Sequence, residues 1–323
     1  MSFSNIIGQD IVIKALKGMI SHAQLSGAYL FLGPDGVGKR TASIEFAKAI
    51  NCETNSIDSC DKCVSCNKID SLNHPDIFVI KRGKGTSSVK IENIREIIYQ
   101  ASLKPYEGRV KVFILLDAED MTEEAQNALL KLLEEPPQNQ ILILTTSRIS
   151  GILSTVLSMC KVLKFNLLNQ AQIQEILVKR HNFNDEEAGL FSHMAMGSPG
   201  RALAFKERDW IKERDSIVND FFFKKRALFK EEVCDEKSYQ DIEESLQLLL
   251  CWYRDLLISK FTGDRNLFLN IDRFEEIFSY AAKFSTKKLE RDLKSVINTL
   301  GYIRRNINPK MALFNMALEL ERH

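Results

Sequence analysis

The chain has 323 residues, with 44 lysines and arginines against 43 aspartates and glutamates, so its net charge is +1. At 45% hydrophobic and 27% charged, with 15 glycines and 7 prolines, it has the make-up of a globular protein with real cores, which excludes disordered and collagen-like chains. No apolar run approaches the roughly 20 residues that span a bilayer, and MSFSNIIGQD lacks the basic and apolar regions of a secretory leader. A cytoplasmic protein is expected, with two or three domains for this length. The charge balance argues against a free-standing, non-specific nucleic-acid binder, which needs surplus cations to displace counter-ions. It leaves room for one member of an assembly that works beside nucleic acid.

In chain order, the first strand signal is Ala28–Leu32 (AYLFL). A glycine-rich loop follows, then a helical pattern from Thr41 to Ile50. Further short apolar runs are Ile77–Ile80, Val110–Leu116 and Ile141–Leu144, and Lys161–Phe165 closes the series. Short buried runs separated by helix-length segments predict an α/β domain with a parallel sheet covered on both faces. From Asn169 the strand signals stop and short helices are expected, one of them capped at Ser198-Pro199. From about 208 the pattern is helical throughout. Ile242, Leu246, Leu249, Leu250, Tyr253, Leu256 and Leu257 share one stripe, and a last helix is signalled at Asn308-Pro309. Three parts are therefore expected: 1–166, 167–207 and 208–323.

Gly33-Pro34-Asp35-Gly36-Val37-Gly38-Lys39 lies between strand and helix, as a phosphate-binding P-loop requires. Gly33, Gly36 and Gly38 let backbone amides turn toward phosphate oxygens at a helix N-terminus, and Lys39 is placed to reach the outer phosphates. The Ser or Thr that ligates Mg²⁺ should come next. Arg40 stands there instead, and Thr41 comes one residue late. After the strand Phe113–Leu116, Asp117 is suitably placed for the metal's outer shell. Ala118 occupies the position of the carboxylate that polarises water, and Glu119 points the other way. Nucleotide binding is thus in doubt, and two positions needed for hydrolysis are unsuitable.

Four of the seven cysteines fall together as Cys52-x7-Cys60-x2-Cys63-x2-Cys66. Reduced thiols in this spacing make a closed tetrahedral S₄ shell, and structural zinc is the preferred reading. An iron–sulfur cluster or unligated thiols are the alternatives. Cys160, Cys234 and Cys251 read as ordinary packed residues.

With these motifs in place, the chain resembles the AAA+ clamp-loader subunits of bacterial DNA polymerase III. The matching blocks are FSNIIGQD (Phe3–Asp10), GAYLFLGPDGVGK, the four-cysteine insertion, HPD (His74–Asp76) and AQNALLKLLEEPP (Ala125–Pro137). GSPGRAL (Gly197–Leu203), WYRDLL (Trp252–Leu257) and NINPKMAL (Asn306–Leu313) extend the likeness over essentially the whole chain. The resemblance implies a RecA-like domain (1–166) carrying the Cys₄ module (52–66), a helical lid (167–207) and a helical collar (208–323) that assembles a pentamer. It places Thr145 and Thr146 at a first sensor of the γ-phosphate and Arg201 at a second sensor. The family's Ser-Arg-Cys arginine finger reads Ser158-Met159-Cys160 here, and such a finger is worth roughly 10³–10⁵ in rate. Met159 reads as a packed residue, with Arg148 weighed as a substitute finger. Losses at 40, 118 and 159, with an end at 323, imply a non-motor stator rather than an active gamma/tau-like motor. Its partners would be gamma/tau and delta subunits in a hetero-pentamer, the sliding clamp indirectly, and primer–template DNA, with no membrane. An ATPase that uses Glu119 and Thr41 is the alternative. A stand-alone zinc-stabilised nucleotide-binding protein is a third reading.

Phe221-Phe222-Phe223-Lys224-Lys225-Arg226 reads as an amphipathic collar helix rather than a base-stacking surface. Lys81, Arg82, Lys84 and Lys90 read as a solvated loop rather than a DNA contact, and His74 as a turn residue.

Overall fold

The computed structural model describes residues 2–22, 25, 27–54, 57–83, 88–207, 209–219, 239–305 and 307–321. Strands form where the short apolar runs fall: β1 (Gly27–Leu32), β2 (Ile77–Ile80), β3 (Lys111–Leu115), β4 (Gln140–Thr146) and β5 (Cys160–Lys164). They make one sheet in the order β2-β3-β4-β1-β5, and every pairing is parallel. All five expected strands are present. The central β3 and β4 are buried at every residue, which is why they read as continuous apolar runs. Edge strand β5 keeps Lys161 and Lys164 exposed, charges that discourage pairing with another chain.

The helices in order are α1 (Asp10–Ser21), α2 (Lys39–Asn51), α3 (Val64–Asp70), α4 (Ile91–Ser102), α5 (Glu123–Glu134), α6 (Ser154–Met159) and α7 (Gln170–His181). Alternate strand residues divide between the two faces of the sheet. Leu30, Phe113, Leu115, Leu142 and Leu144 pack with Ile94 and Ile97 of α4, Ala125 and Leu129 of α5, and Val156 of α6. Tyr29 points to the other face, its ring edge-on to Phe46 of α2 with centroids 5.8 Å apart. Fully burying side chains of this size stabilises by about 1.5–3 kcal/mol each. Lys111, buried in β3, spends its ammonium on the carbonyls of Gln100 and Leu103 at 3.0 and 3.1 Å. It thereby caps the C-terminus of α4, where a cation also suits the helix dipole.

The chain forms two compact units, residues 1–184 with 195–201 and residues 185–194 with 202–323. The remaining described helices are α8 (Asp185–Met194), α9 (Pro199–Glu207), α10 (Trp210–Val218), α11 (Tyr239–Ile258), α12 (Phe274–Ala281), α13 (Thr286–Arg304) and α14 (Pro309–Glu321). In the second unit the expected stripe of α11 is the core. Ile242, Leu246, Leu249, Tyr253 and Leu256 are buried with Leu289, Val296 and Leu313, and Leu250 and Leu257 pack against them. Expectation and structure differ at 259–273, which was expected to be helical. Two short 3-10 turns, Arg265–Leu267 and Ile271–Arg273, occupy it instead. Gly263, Asp264 and Asn270 are turn formers, and the buried Asp255 of α11 accepts from the amides of Leu269 and Asn270 at 3.1 and 2.7 Å. The Phe221–Arg226 segment, Lys84 and Cys234 lie outside the described residues.

Candidate functional site: a phosphate loop and a cysteine knuckle on one helix

Helix α2 begins at Lys39 and is followed at its C-terminal end by Cys52, so both candidate sites hang on it. At the N-terminal end, Gly36 and Gly38 adopt φ of 74° and 101°, the left-handed region in which glycine is unstrained. Each carbonyl from 33 to 38 has a protein donor. Lys39 Nζ serves those of Gly33 and Pro34, Ser198 Oγ that of Asp35 at 2.7 Å, and Gly200 N that of Gly36 at 2.9 Å. Gln9 Nε2 reaches the Val37 carbonyl at 3.4 Å, and Ala42 N the Gly38 carbonyl at 2.9 Å. The opposite holds for the amides. Among the described residues those of Gly36, Val37, Gly38 and Lys39 have no hydrogen-bond acceptor. A row of such amides at a helix N-terminus is an anion cradle.

Gln9 closes the back of this loop. Its amide donates to the Asn166 carbonyl at 2.8 Å and accepts from Asn166 N at 3.1 Å. Gly200 has to be glycine, because a Cβ there would come within 2.7 Å of Gly36 Cα. Arg201 follows in the first turn of α9, its amide bonded to Ser198. The expected second-sensor position therefore lies one residue from a direct contact with the loop.

The residues expected to supply hydrolysis lie nearby but do not assemble a catalytic set. Arg40 is exposed and Thr41 half-buried in the first turn of α2. Asp117 leaves β3 in a left-handed conformation, φ 52°, and its amide donates to Thr145 Oγ1 at 3.1 Å. Desolvation, then Glu119, Asp35 and Asp120, push its carboxyl up, against the pull of Lys39. Ala118 is fully buried and offers no carboxylate. Glu119 is tied away, accepting from Ser147 N and Oγ at 2.8 and 2.5 Å. Burial alone would raise its carboxyl, yet those donors hold it below the usual range. Thr146 accepts from Arg148 N and donates to the Arg148 carbonyl. The Arg148 guanidinium lies 3.9 Å from Asp120. Met159 packs against the core of the sheet.

At the other end of α2 the donor set is complete. The Sγ atoms of Cys52, Cys60, Cys63 and Cys66 all lie within 4.8 Å of one another. A tetrahedral thiolate shell with bonds of about 2.3 Å spaces its sulfurs by about 3.8 Å, so the four cysteines fit a soft metal ion. Amides already point at the sulfurs: Cys60 N at Cys52 Sγ and Cys63 N at Cys60 Sγ, both 3.3 Å, and Cys66 N at Cys63 Sγ, 3.4 Å. The amides of Lys62 and Cys63 hold the Cys60 thiol at about 6, whereas burial pushes that of Cys66 up. A closed S₄ shell leaves no open position, so a metal here has a structural role.

The HPD block supports this end. Asp76, 1% exposed, accepts from the amides of Tyr106, Glu107 and Gly108 at 2.7, 2.9 and 2.7 Å. Burial raises its carboxyl, but those three donors prevail and hold it low. His74 Nδ1 accepts from Asp76 N at 3.1 Å, and burial lowers the imidazole's proton affinity. The blocks FSNIIGQD and HPD contain Gln9 and Asp76 but give them no role, and the buried Lys48 of α2 lies in no block. A lysine inside the otherwise apolar FAKAI run was the only trace of the last.

A parallel sheet in the order β2-β3-β4-β1-β5 with a phosphate loop after β1 is the RecA-like core of AAA+ proteins. Residues 8–169 match the family model described as DNA polymerase III, delta subunit, and residues 208–322 the model for the C-terminal part of that subunit. The chain belongs to this DNA polymerase III delta subunit family. The delta' subunit of DNA polymerase III from Bacillus subtilis (strain 168) is 26% identical over 328 residues, covering 97% of this chain and 96% of that protein. The gamma subunit from Buchnera aphidicola subsp. Schizaphis graminum is 35% identical over 222 residues, 67% of this chain and 60% of that protein. A solved DNA polymerase III gamma subunit-related protein from Thermotoga maritima has 18% identity and a TM-score of 0.47, covering 96% of this chain and 99% of that one. Among the described residues, no helix is long and apolar enough to cross a membrane.

Proposed function

We propose that this chain is a clamp-loader stator of the delta-prime type, a non-hydrolysing member of the assembly that places a sliding clamp on primed DNA. One observation carries the reading. The loop keeps its phosphate-binding shape, while four positions needed for turnover are replaced or turned away: Arg40, Ala118, Glu119 held by Ser147, and Met159 packed against the core. Alignment with a delta' subunit over nearly the full length of both proteins supports it. The partners are gamma/tau motor subunits and the delta subunit in a hetero-pentamer, the clamp indirectly, and primer–template DNA as part of the complex. The compartment is the cytoplasm. Residues 167–207 serve as the lid and 208–323 as the collar. On α14, Met311, Phe314 and Leu318 are exposed at the i, i+3, i+7 spacing of a docking face, opposite the buried Leu313 and Met316. The Cys₄ knuckle holds one structural zinc.

The test uses purified protein with Mg-ATP. The loop should bind nucleotide or inorganic phosphate without turnover. Hydrolysis above about 1 s⁻¹, abolished by Lys39→Ala, would return the chain to the motor class. Reconstitution with gamma/tau and delta subunits should give a complex that loads clamps only when this chain is present.

A further inference from the structure

Lys48 is the most deeply buried ammonium near the cysteine knuckle, with a side-chain exposure of 0%. A buried charge is tolerated only when paired. Its Nζ lies 2.6 Å from Asp61 and 2.9 Å from Asp70, and 3.4 Å from Glu45 one turn back on α2. Asp61 and Asp70 accept hydrogen bonds from this ammonium, and Glu45 faces it as an ion pair.

Two of these carboxylates sit at special backbone positions. Asp61 lies between Cys60 and Cys63 at φ 55°, a left-handed conformation that outside glycine is adopted mainly by Asp and Asn. Asp70 is the last residue of α3, where the helix dipole repels an anion. Lys48 meets both carboxylates, and Asp61 also accepts from Ser59 Oγ at 3.2 Å. The two aspartates also lie on the segments that carry three of the four cysteines. Asp61 is in the turn from Cys60 to Cys63, and Asp70 ends the helix that holds Cys66. The fourth, Cys52, ends the helix that carries Lys48 itself.

We infer that Lys48 is the positioning residue of the knuckle: it draws the Cys60–Cys66 segment onto α2 and so sets the separation of those thiols from Cys52. It touches no sulfur in this role. It acts through Asp61 and Asp70, as outer-shell groups do when they orient metal ligands. Its charge also opposes the excess of negative charge gathered by four thiolates around a divalent ion. The inference rests on the reading of the cysteines as a zinc site.

The experiment measures zinc and cobalt(II) affinity of the intact chain by chelator competition, with the cobalt–thiolate absorption as a second readout. Lys48→Met should weaken metal binding about 10- to 100-fold, the range for lost outer-shell partners, and should alter the cobalt spectrum. Asp61→Asn keeps a residue that tolerates the left-handed turn and removes one arm. It should weaken binding about three- to tenfold and answers the question even where Lys48→Met fails to fold. Phe46→Leu, on the sheet side of the same helix, destabilises without touching the carboxylates and should leave affinity unchanged. Unaltered affinity and spectrum in Asp61→Asn, or equal weakening by Phe46→Leu at a matched loss of Tm, overturns the role of Lys48 alone. A wild-type chain that takes up no metal overturns the zinc reading with it.

Discussion

The two ends of helix α2 are equipped in different ways. At the N-terminal end the loop has the shape of a phosphate cradle but the site lacks two of the groups hydrolysis uses. The loop carbonyls are satisfied and the amides stay open, but Arg40 and Ala118 stand where hydrolysis needs a hydroxyl and a carboxylate. At the C-terminal end the chemistry is complete, with four thiols in reach of one ion and amides aimed at them. A catalytic group acts only through differential stabilisation of a transition state, so losing it costs no folding energy. A ligand of a structural metal contributes folding energy directly. A scaffold that need not turn over can therefore lose the first kind of residue and must keep the second.

The largest effect should come from breaking the knuckle. Cys66→Ser removes a buried ligand from a site of the class that holds metal with roughly 10–16 kcal/mol. Native mass spectrometry should show the zinc lost, and hydrogen exchange should show 52–76 open while α11 and α13 stay protected. Asp76→Ala ranks next. It strands three amide donors and should lower stability by about 2–4 kcal/mol, read from the urea midpoint. Full stability in that variant would separate the HPD block from the support of the knuckle.

A smaller effect is set by pH. The unfolded chain protonates His74 near 6.5, while burial holds the folded imidazole's affinity lower. The unfolded state thus binds more protons in this window, and stability should fall as pH drops below about 6.5. His74→Asn, which keeps an acceptor for Asp76 N, should flatten that slope in the metal-loaded protein. Asp76 is shifted in the same direction, downward. Its stabilisation is full at neutral pH and is lost only below about 4, as pH falls through its lowered folded value. The smallest effect is expected at the phosphate end. Arg40→Thr should tighten Mg²⁺-dependent nucleotide binding and leave hydrolysis at background, since Ala118 remains. Turnover in this single variant would show that Glu119 leaves Ser147 to act as a base.

Much of this was legible in the chain because it is local. The five strands, the loop between β1 and α2 and the cysteine spacing each occupy one short window. The helical stripe from Ile242 to Leu257 was equally readable, because its period is set by the helix itself. The reading failed at 259–273, where helical continuity was expected. There the ordering group, Asp255, lies 14 residues from the Leu269 amide it holds.

The sequence alone determined the class of the sheet, the loop with its departures at Arg40 and Ala118, and the four thiols, because each follows from residue types at fixed short spacing. Only the tertiary structure decided which groups work together. Gln9 meets Asn166 across 157 positions, Gly200 rests on Gly36, and Asp61 and Asp70 converge on Lys48. Hydrogen bonds and ion pairs act over a few ångströms in space, and no local pattern records which distant residues the packed core brings within that range.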